Sequence, residues 1–215
     1  MKRKELEIDE INELLFELQN DSDTELIFED DKWRFTILKN GSKDYLRIPI
    51  TTIFEKNEVI PVSRHFIIAL IETGHAALAL CDEEEILNHK VFKSYMVRKK
   101  QGKSQLKYLK TKGKSRAGSR VRLANALEFF ENINTRLNEY EDEYSIDIIA
   151  LSCNKTILPF LFNSKVEPPF EKKDDRLYKI PKYVDTPGYE EMLETYEYLI
   201  SGELFTESND FILEI

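Results

Sequence analysis

The chain has 215 residues, 41% hydrophobic and 33% charged. This balance suits one sizeable core with or without a smaller lobe and excludes wholesale disorder. The net charge of −9, taken as an average, argues against a nucleic-acid partner. No apolar run approaches a membrane span, no apolar stretch follows Met1-Lys2-Arg3-Lys4, and two cysteines make no disulfide framework, so a soluble cytoplasmic protein is expected.

Residues 3–20 read as an amphipathic helix, with Leu6, Ile8, Ile11, Leu14, Leu15 and Leu18 near helical spacing and acids between them. Asn20-Asp21-Ser22-Asp23 ends it. Strands are expected at 25–29, 33–38 and 45–50, the last two joined by an Asn40-Gly41 hairpin turn. These elements predict a small α+β lobe over residues 1–60, and a second domain over 61–215.

Residues 66–71 and 76–81 are near-continuous apolar runs around Glu72-Thr73-Gly74-His75, the pattern of a buried hairpin turning at Gly74. A third strand is expected from Ile86-Leu87 and 91–97. A helix is expected over 120–137, capped by Ser119, with Val121, Leu123, Ala124, Leu127, Phe130, Ile133 and Leu137 on one apolar face. An acidic turn at 139–144 and a buried strand at 146–153 follow. Residues 157–162 fit a short helix or a strand, 177–180 a short strand, and 187–200 a helix with Pro187 in its first turn. Cys81 and Cys153 lie in apolar runs and read as buried thiols. Strands and helices around one sheet make the expected class α/β, a mixed β-sheet flanked by helices.

The average charge conceals a segregation. Residues 93–122 hold twelve basic side chains and no acidic one, so this window carries +12 and the remainder −21. After the third strand it opens a loop of about fifteen residues with glycines at 102, 113 and 118, a length that is uncommon without a function. Arg98, Lys99, Lys100, Lys103, Lys107, Lys110, Lys112, Lys114, Arg116, Arg120 and Arg122 are the candidate phosphate contacts. Ser119, Arg120 and Arg122 are placed at the expected helix start, where main-chain donors also bind phosphate. Gln105 adds an uncharged amide, donor and acceptor together. Gly113-Lys114-Ser115 is not a P-loop, because Tyr108 stands where its first glycine belongs. His65, His75 and His89 have no metal-ligand spacing and read as structural, so no metal or cofactor is expected. Asp82 and Asp147 border buried strands, but nothing in the sequence pairs them as a nuclease would.

Gly102-x-x-Gln105, in a basic loop after Tyr95-Met96-Val97-Arg98, resembles the Vms-type release-factor-like family, relatives of the Gly-Gly-Gln middle domain of eukaryotic and archaeal class I release factors. Further matches fall in order. They are Gly74-His75; His89-Lys90-x-Phe92-x-x-Tyr95-x-Val97-Arg98; Ala117-Gly118 with Arg122 and Asn125; and Asp175-Arg176 before Ile180-Pro181. The resemblance spans about residues 62–200. It departs where Lys103 and Ser104 fill the middle of the glutamine motif, and where Leu123 and Ala124 replace a basic and an aromatic residue.

The resemblance implies a ribonuclease H-like fold and hydrolysis of the peptidyl-tRNA ester on stalled ribosomal complexes. Gly102, Ser104 and Gln105 would form the catalytic loop, and the large ribosomal subunit and peptidyl-tRNA would be the partners. Cleavage of the tRNA 3′ CCA end, or ribosome or tRNA binding without catalysis, remain open alternatives at this point.

Overall fold

The computed structural model describes residues 2–94 and 114–206, and side chains from residue 125 onward in the helix that begins at Lys114. In chain order the elements are β1 (Lys2–Leu6), α1 (Ile8–Asn20), β2 (Thr24–Glu29), β3 (Arg34–Lys39), β4 (Ser42–Arg47), β5 (Thr52–Glu55), β6 (Glu58–Pro61), β7 (Phe66–Glu72), β8 (His75–Cys81), β9 (Ile86–Lys93), α2 (Lys114–Glu143), β10 (Ile148–Cys153), α3 (Leu158–Phe162), β11 (Leu177–Lys179), α4 (Tyr189–Ile200) and β12 (Gly202–Thr206). The class is mixed α/β. Two compact units divide the chain: Met1–Arg64 with Leu193–Ile215, and His65–Met192.

The first unit is an antiparallel sheet in the order β1-β12-β4-β3-β2. Helix α1 lays Ile11, Leu14, Leu15 and Leu18 against Phe35, Ile37, Leu46 and Leu204. Each such buried side chain is worth about 1.5–3 kcal/mol. The Asn40-Gly41 turn has both residues at positive φ (50° and 78°), as a two-residue hairpin requires.

Residues 3–6 are strand rather than helix. Leu6 is buried in the sheet's core, and Lys2–Leu6 pairs with Thr206–Gly202. The helix starts where the Glu7 N–H donates to Glu10 Oε2 at 2.8 Å. The β5–β6 hairpin was not expected. It turns through Lys56 and Asn57, both at positive φ, and α1 holds it by a reciprocal amide pair. Asn12 Nδ2 donates to the Val59 carbonyl (3.0 Å), and the Val59 N–H donates to Asn12 Oδ1 (2.8 Å).

Strand β12 belongs to this first sheet, between β1 and β4, so the unit is discontinuous in sequence, which a single cut near residue 61 does not express. Buried Arg47 secures it. Its Nη1 donates to the Ser201 carbonyl (2.8 Å), its guanidinium lies 3.8 Å from the Tyr198 ring centroid, and its Nη2 is 3.6 Å from Glu203 Oε2.

The second unit is a mixed sheet in the order β11-β10-β7-β8-β9. β7, β8 and β9 are antiparallel neighbours, whereas β10 runs parallel to β7 and β11 parallel to β10. Helix α2, 30 residues and about 45 Å long, sets Phe129, Phe130, Ile133, Leu137 and Tyr140 over Ile67, Ala69, Ile71, Ala76, Leu78 and Leu80. Both β7 and β8 are buried along nearly their whole length, which explains their continuous apolar runs.

The helix departs from expectation at both ends. It starts six residues before Arg120 and continues through the acidic stretch read as a turn. Carboxylates at a helix C-terminus oppose its dipole. Here Arg136 pairs with Glu139 (2.9 Å), Arg176 pairs with Glu141 (2.7 Å), and Tyr140 is buried, and together these hold the last turn. Leu127, assigned to the apolar face, is 45% exposed at that stripe's margin. Residues 157–162 resolve as helix. Among the described residues no helix is long and apolar enough to cross a membrane.

Candidate nucleic-acid interface

The basic segment is entered from β9. His75 pairs with Lys93 in the sheet, so the strand ends beside the β7–β8 turn. Gly74 makes that turn at φ +80°, where an L side chain is strained. Its carbonyl accepts the Ser94 N–H at 2.8 Å. The Ser94 hydroxyl donates to the Asn125 carbonyl of α2 at 3.2 Å. One residue therefore ties the strand that leads into the basic segment both to the hairpin turn and to the helix that leads out. The sequence marks Gly74 and Asn125 but not the serine between them.

Gly102, Ser104 and Gln105, with Arg98, Lys99, Lys100, Lys103, Lys107, Lys110 and Lys112, lie outside the described residues. Lys114, Arg116, Ser119, Arg120 and Arg122 are placed by main chain alone. They occupy the first turns of α2, so Ser119 sits inside the helix rather than at its cap, and Arg120 and Arg122 stand beyond the first turn. The first turn contains no acid. Cations at this end oppose the helix dipole by about 0.3–1 kcal/mol each. They therefore cost the helix stability, and an anionic partner would offset that cost.

Glu72 and Tyr183, to which the sequence gives no role, and Cys153, expected as a buried thiol, stand at this end of the sheet. Glu72 ends β7, Cys153 ends β10 in register with Ile71, and Tyr183 follows β11. The Tyr183 phenol donates to Asp185 Oδ1 (3.4 Å). The Glu72 carboxylate first, then partial desolvation and Asp185, pushes it above its ordinary value. The Cys153 thiol is half-buried and pushed up to about 12, first by burial and then by Glu72. Burial raises Cys81 further still. Both thiols stay protonated near neutral pH, so neither is an activated nucleophile.

The other candidates have structural partners. His65 and Tyr144 are in ring contact, as are His89 and Tyr189, each with centroids 4.8 Å apart. Asp147 Oδ2 accepts the His65 N–H (3.0 Å), and Asp82 Oδ1 accepts the N–H groups of Glu84 and Glu85 (2.8 Å each). Both carboxylates thus serve main-chain donors, Asp82 in the turn after β8 and Asp147 across to the residue before β7. Among the described residues no three His, Cys, Asp or Glu side chains gather as a metal site.

Arg176, from the late motif, organises the far end of α2. Nε donates to Asp174 Oδ1 (3.0 Å), Nη2 to Asp174 Oδ2 (2.9 Å) and to the Pro169 carbonyl (3.2 Å), and Nη1 to Glu141 Oε1 (2.7 Å). Its role here is to hold the fold.

A family model described as bVLRF1, Bacteroidetes VLRF1 release factor, matches residues 66–207. Among solved structures, one titled "Vms1 mitochondrial localization core" is 14% identical, with a TM-score of 0.44 over 87% of this chain and 90% of that one. No curated protein matches.

Proposed function

The chain belongs to the Bacteroidetes VLRF1 release factor family, and we propose that it releases peptides from stalled ribosomal complexes by hydrolysing peptidyl-tRNA. In this reading the second unit takes the part of a release-factor middle domain, and the basic segment delivers Gln105 to the ester at the tRNA 3′ end. The observation that carries the reading is the Ser94 tie to Gly74 and Asn125, which joins the strand that enters the segment to the helix that follows it. The family match spans that whole segment, and a first turn of α2 that holds basic residues and no acid suits an RNA partner. Covalent geometry lets Gln105 reach at most about 40 Å from Ser94.

The reaction adds water to the ester carbonyl. The carbonyl oxygen gains charge, the bond to the 3′ oxygen of the tRNA ribose breaks, and that oxygen takes a proton. Glutamine is no base at neutral pH, so the Gln105 amide orients the water, and its main-chain N–H stabilises the developing oxyanion. Lys99, Lys100, Lys103, Arg116 and Arg120 hold phosphates and set the register.

The test is single-turnover peptide release from purified large subunits carrying peptidyl-tRNA, followed by sequencing of the tRNA 3′ end. Wild type is expected to free peptide and leave the CCA end intact. Gln105→Ala is expected to bind equally and to release about 10- to 100-fold more slowly. Equal release by both proteins removes Gln105 from the mechanism, and loss of the CCA end makes the reaction a phosphodiester cleavage. Lys103-Ser104 within the motif favours one second reading, a tRNA-binding module without catalysis. That reading predicts binding with no release by either protein.

A further inference from the structure

Strand β2 lies at the margin of the first sheet, and among the described residues β3 is its one hydrogen-bonded neighbour. The other edge presents the main chain of Thr24–Glu29, a template for another strand. Beside it lies an open groove of about 480 Å³, walled by Leu18, Leu26, Phe28, Phe35 and Phe54. The three phenylalanine rings touch in a triangle, with centroids 4.8, 5.3 and 4.8 Å apart. Phe28 and Phe54 are only half-buried. On the opposite face of the strand Ile27 is 43% exposed. A strand added here would find apolar surface for alternate side chains on both of its faces.

Charge selects the occupant. Residues 21–31 carry six acids, two of them Glu25 and Asp31, and no base; Lys39 pairs with Asp21, and Lys32 and Arg34 pair with Glu29, which leaves four to set the charge of this edge. The first unit as a whole has 21 acidic against 10 basic side chains, a net charge of −11. RNA would be repelled. A second copy offering the same edge would bring Glu25 against the acids of its counterpart.

We propose that the β2 edge docks an extended, lysine- or arginine-rich segment of another polypeptide as a sixth strand, with alternate apolar side chains entering the Phe28–Phe54 groove. This surface is independent of peptide release, and its test does not use that activity.

The experiment is fluorescence anisotropy of the full chain with a labelled nonapeptide alternating lysine and leucine. The comparison peptides carry glutamate in place of lysine, or N-methyl groups on alternate amides. Saturable binding is expected. It should weaken by about tenfold or more with Ile27→Lys, and likewise with Glu25→Lys/Asp31→Lys. All three changed residues are exposed, so the variants should keep the wild-type circular dichroism. The glutamate and N-methylated peptides should not bind. Unchanged affinity for the N-methylated peptide, or in both variants, overturns the proposal. So does binding of an oligouridylate that Ile27→Lys abolishes, or self-association that the same variant dissolves.

Discussion

The Ser94 hydroxyl donates to the Asn125 carbonyl across 31 positions of sequence. The carbonyl lies within α2, so the strand that opens the basic segment is fastened to the helix that closes it. Ser94→Ala removes one partly buried hydrogen bond and should cost about 1 kcal/mol in urea unfolding. Peptide release should slow by more than stability falls, by about 3- to 10-fold, because the segment's root loses its fixed position. Ser94→Thr keeps the hydroxyl and should restore the rate. A normal rate in Ser94→Ala would show that this tie does not position the segment.

Arg176→Met should destabilise the protein by about 2–3 kcal/mol in chemical denaturation. Glu141 and Asp174 each lose their ion partner, and the Pro169 carbonyl loses a donor. The effect stays below that for a fully buried pair because 29% of the Arg176 side chain remains exposed.

Acid should loosen the first unit. The carboxyl of Asp21, bound chiefly by Lys39, and that of Glu29, bound chiefly by Lys32 and then Thr36, are both held down at about 2. A lowered carboxyl contributes its stability in full above its unfolded value, near 4, and loses it as pH falls towards 2. The melting temperature should therefore hardly change between pH 7 and 5 and should drop modestly below 4, since such solvent-screened pairs are weak. Asp21→Asn with Glu29→Gln should flatten that drop. A wild-type profile in the double variant would show that these two groups do not drive it.

Affinity for tRNA should fall linearly with salt on logarithmic axes, despite the overall acidity. Arg116→Glu/Arg120→Glu should lower the slope by about 1.4–1.8, two phosphate contacts at 0.7–0.9 each. A slope near zero in wild type would remove RNA as the partner of the basic segment.

The second unit was largely legible because its central strands β7 and β8 are buried on both faces and written as unbroken apolar runs, residues 66–71 and 76–81. The Asn40-Gly41 turn was legible because its residue types match its dihedrals. Lys56-Asn57 makes a turn of the same kind, but lysine is not a turn residue by type, so the hairpin it closes was missed. Strands β1 and β12 were hidden because Lys-Arg-Lys-Glu-Leu has no strand pattern of its own and pairs with a segment far along the chain. The functional segment stood out by charge. Its fastening did not, because a serine hydroxyl bonded to a main-chain carbonyl leaves no motif.

The position of β12 reverses the usual timetable of synthesis. About 155 residues separate the end of β4 from the start of β12, the strand that must lie beside it. At about 5–20 residues per second, the flank of β4 waits about 8–30 s for its neighbour. The second unit is continuous in sequence and has all its strands before then. The part of the chain made first is therefore completed last, and during that interval the bare flank of β4 is where a nascent chain would need chaperone protection.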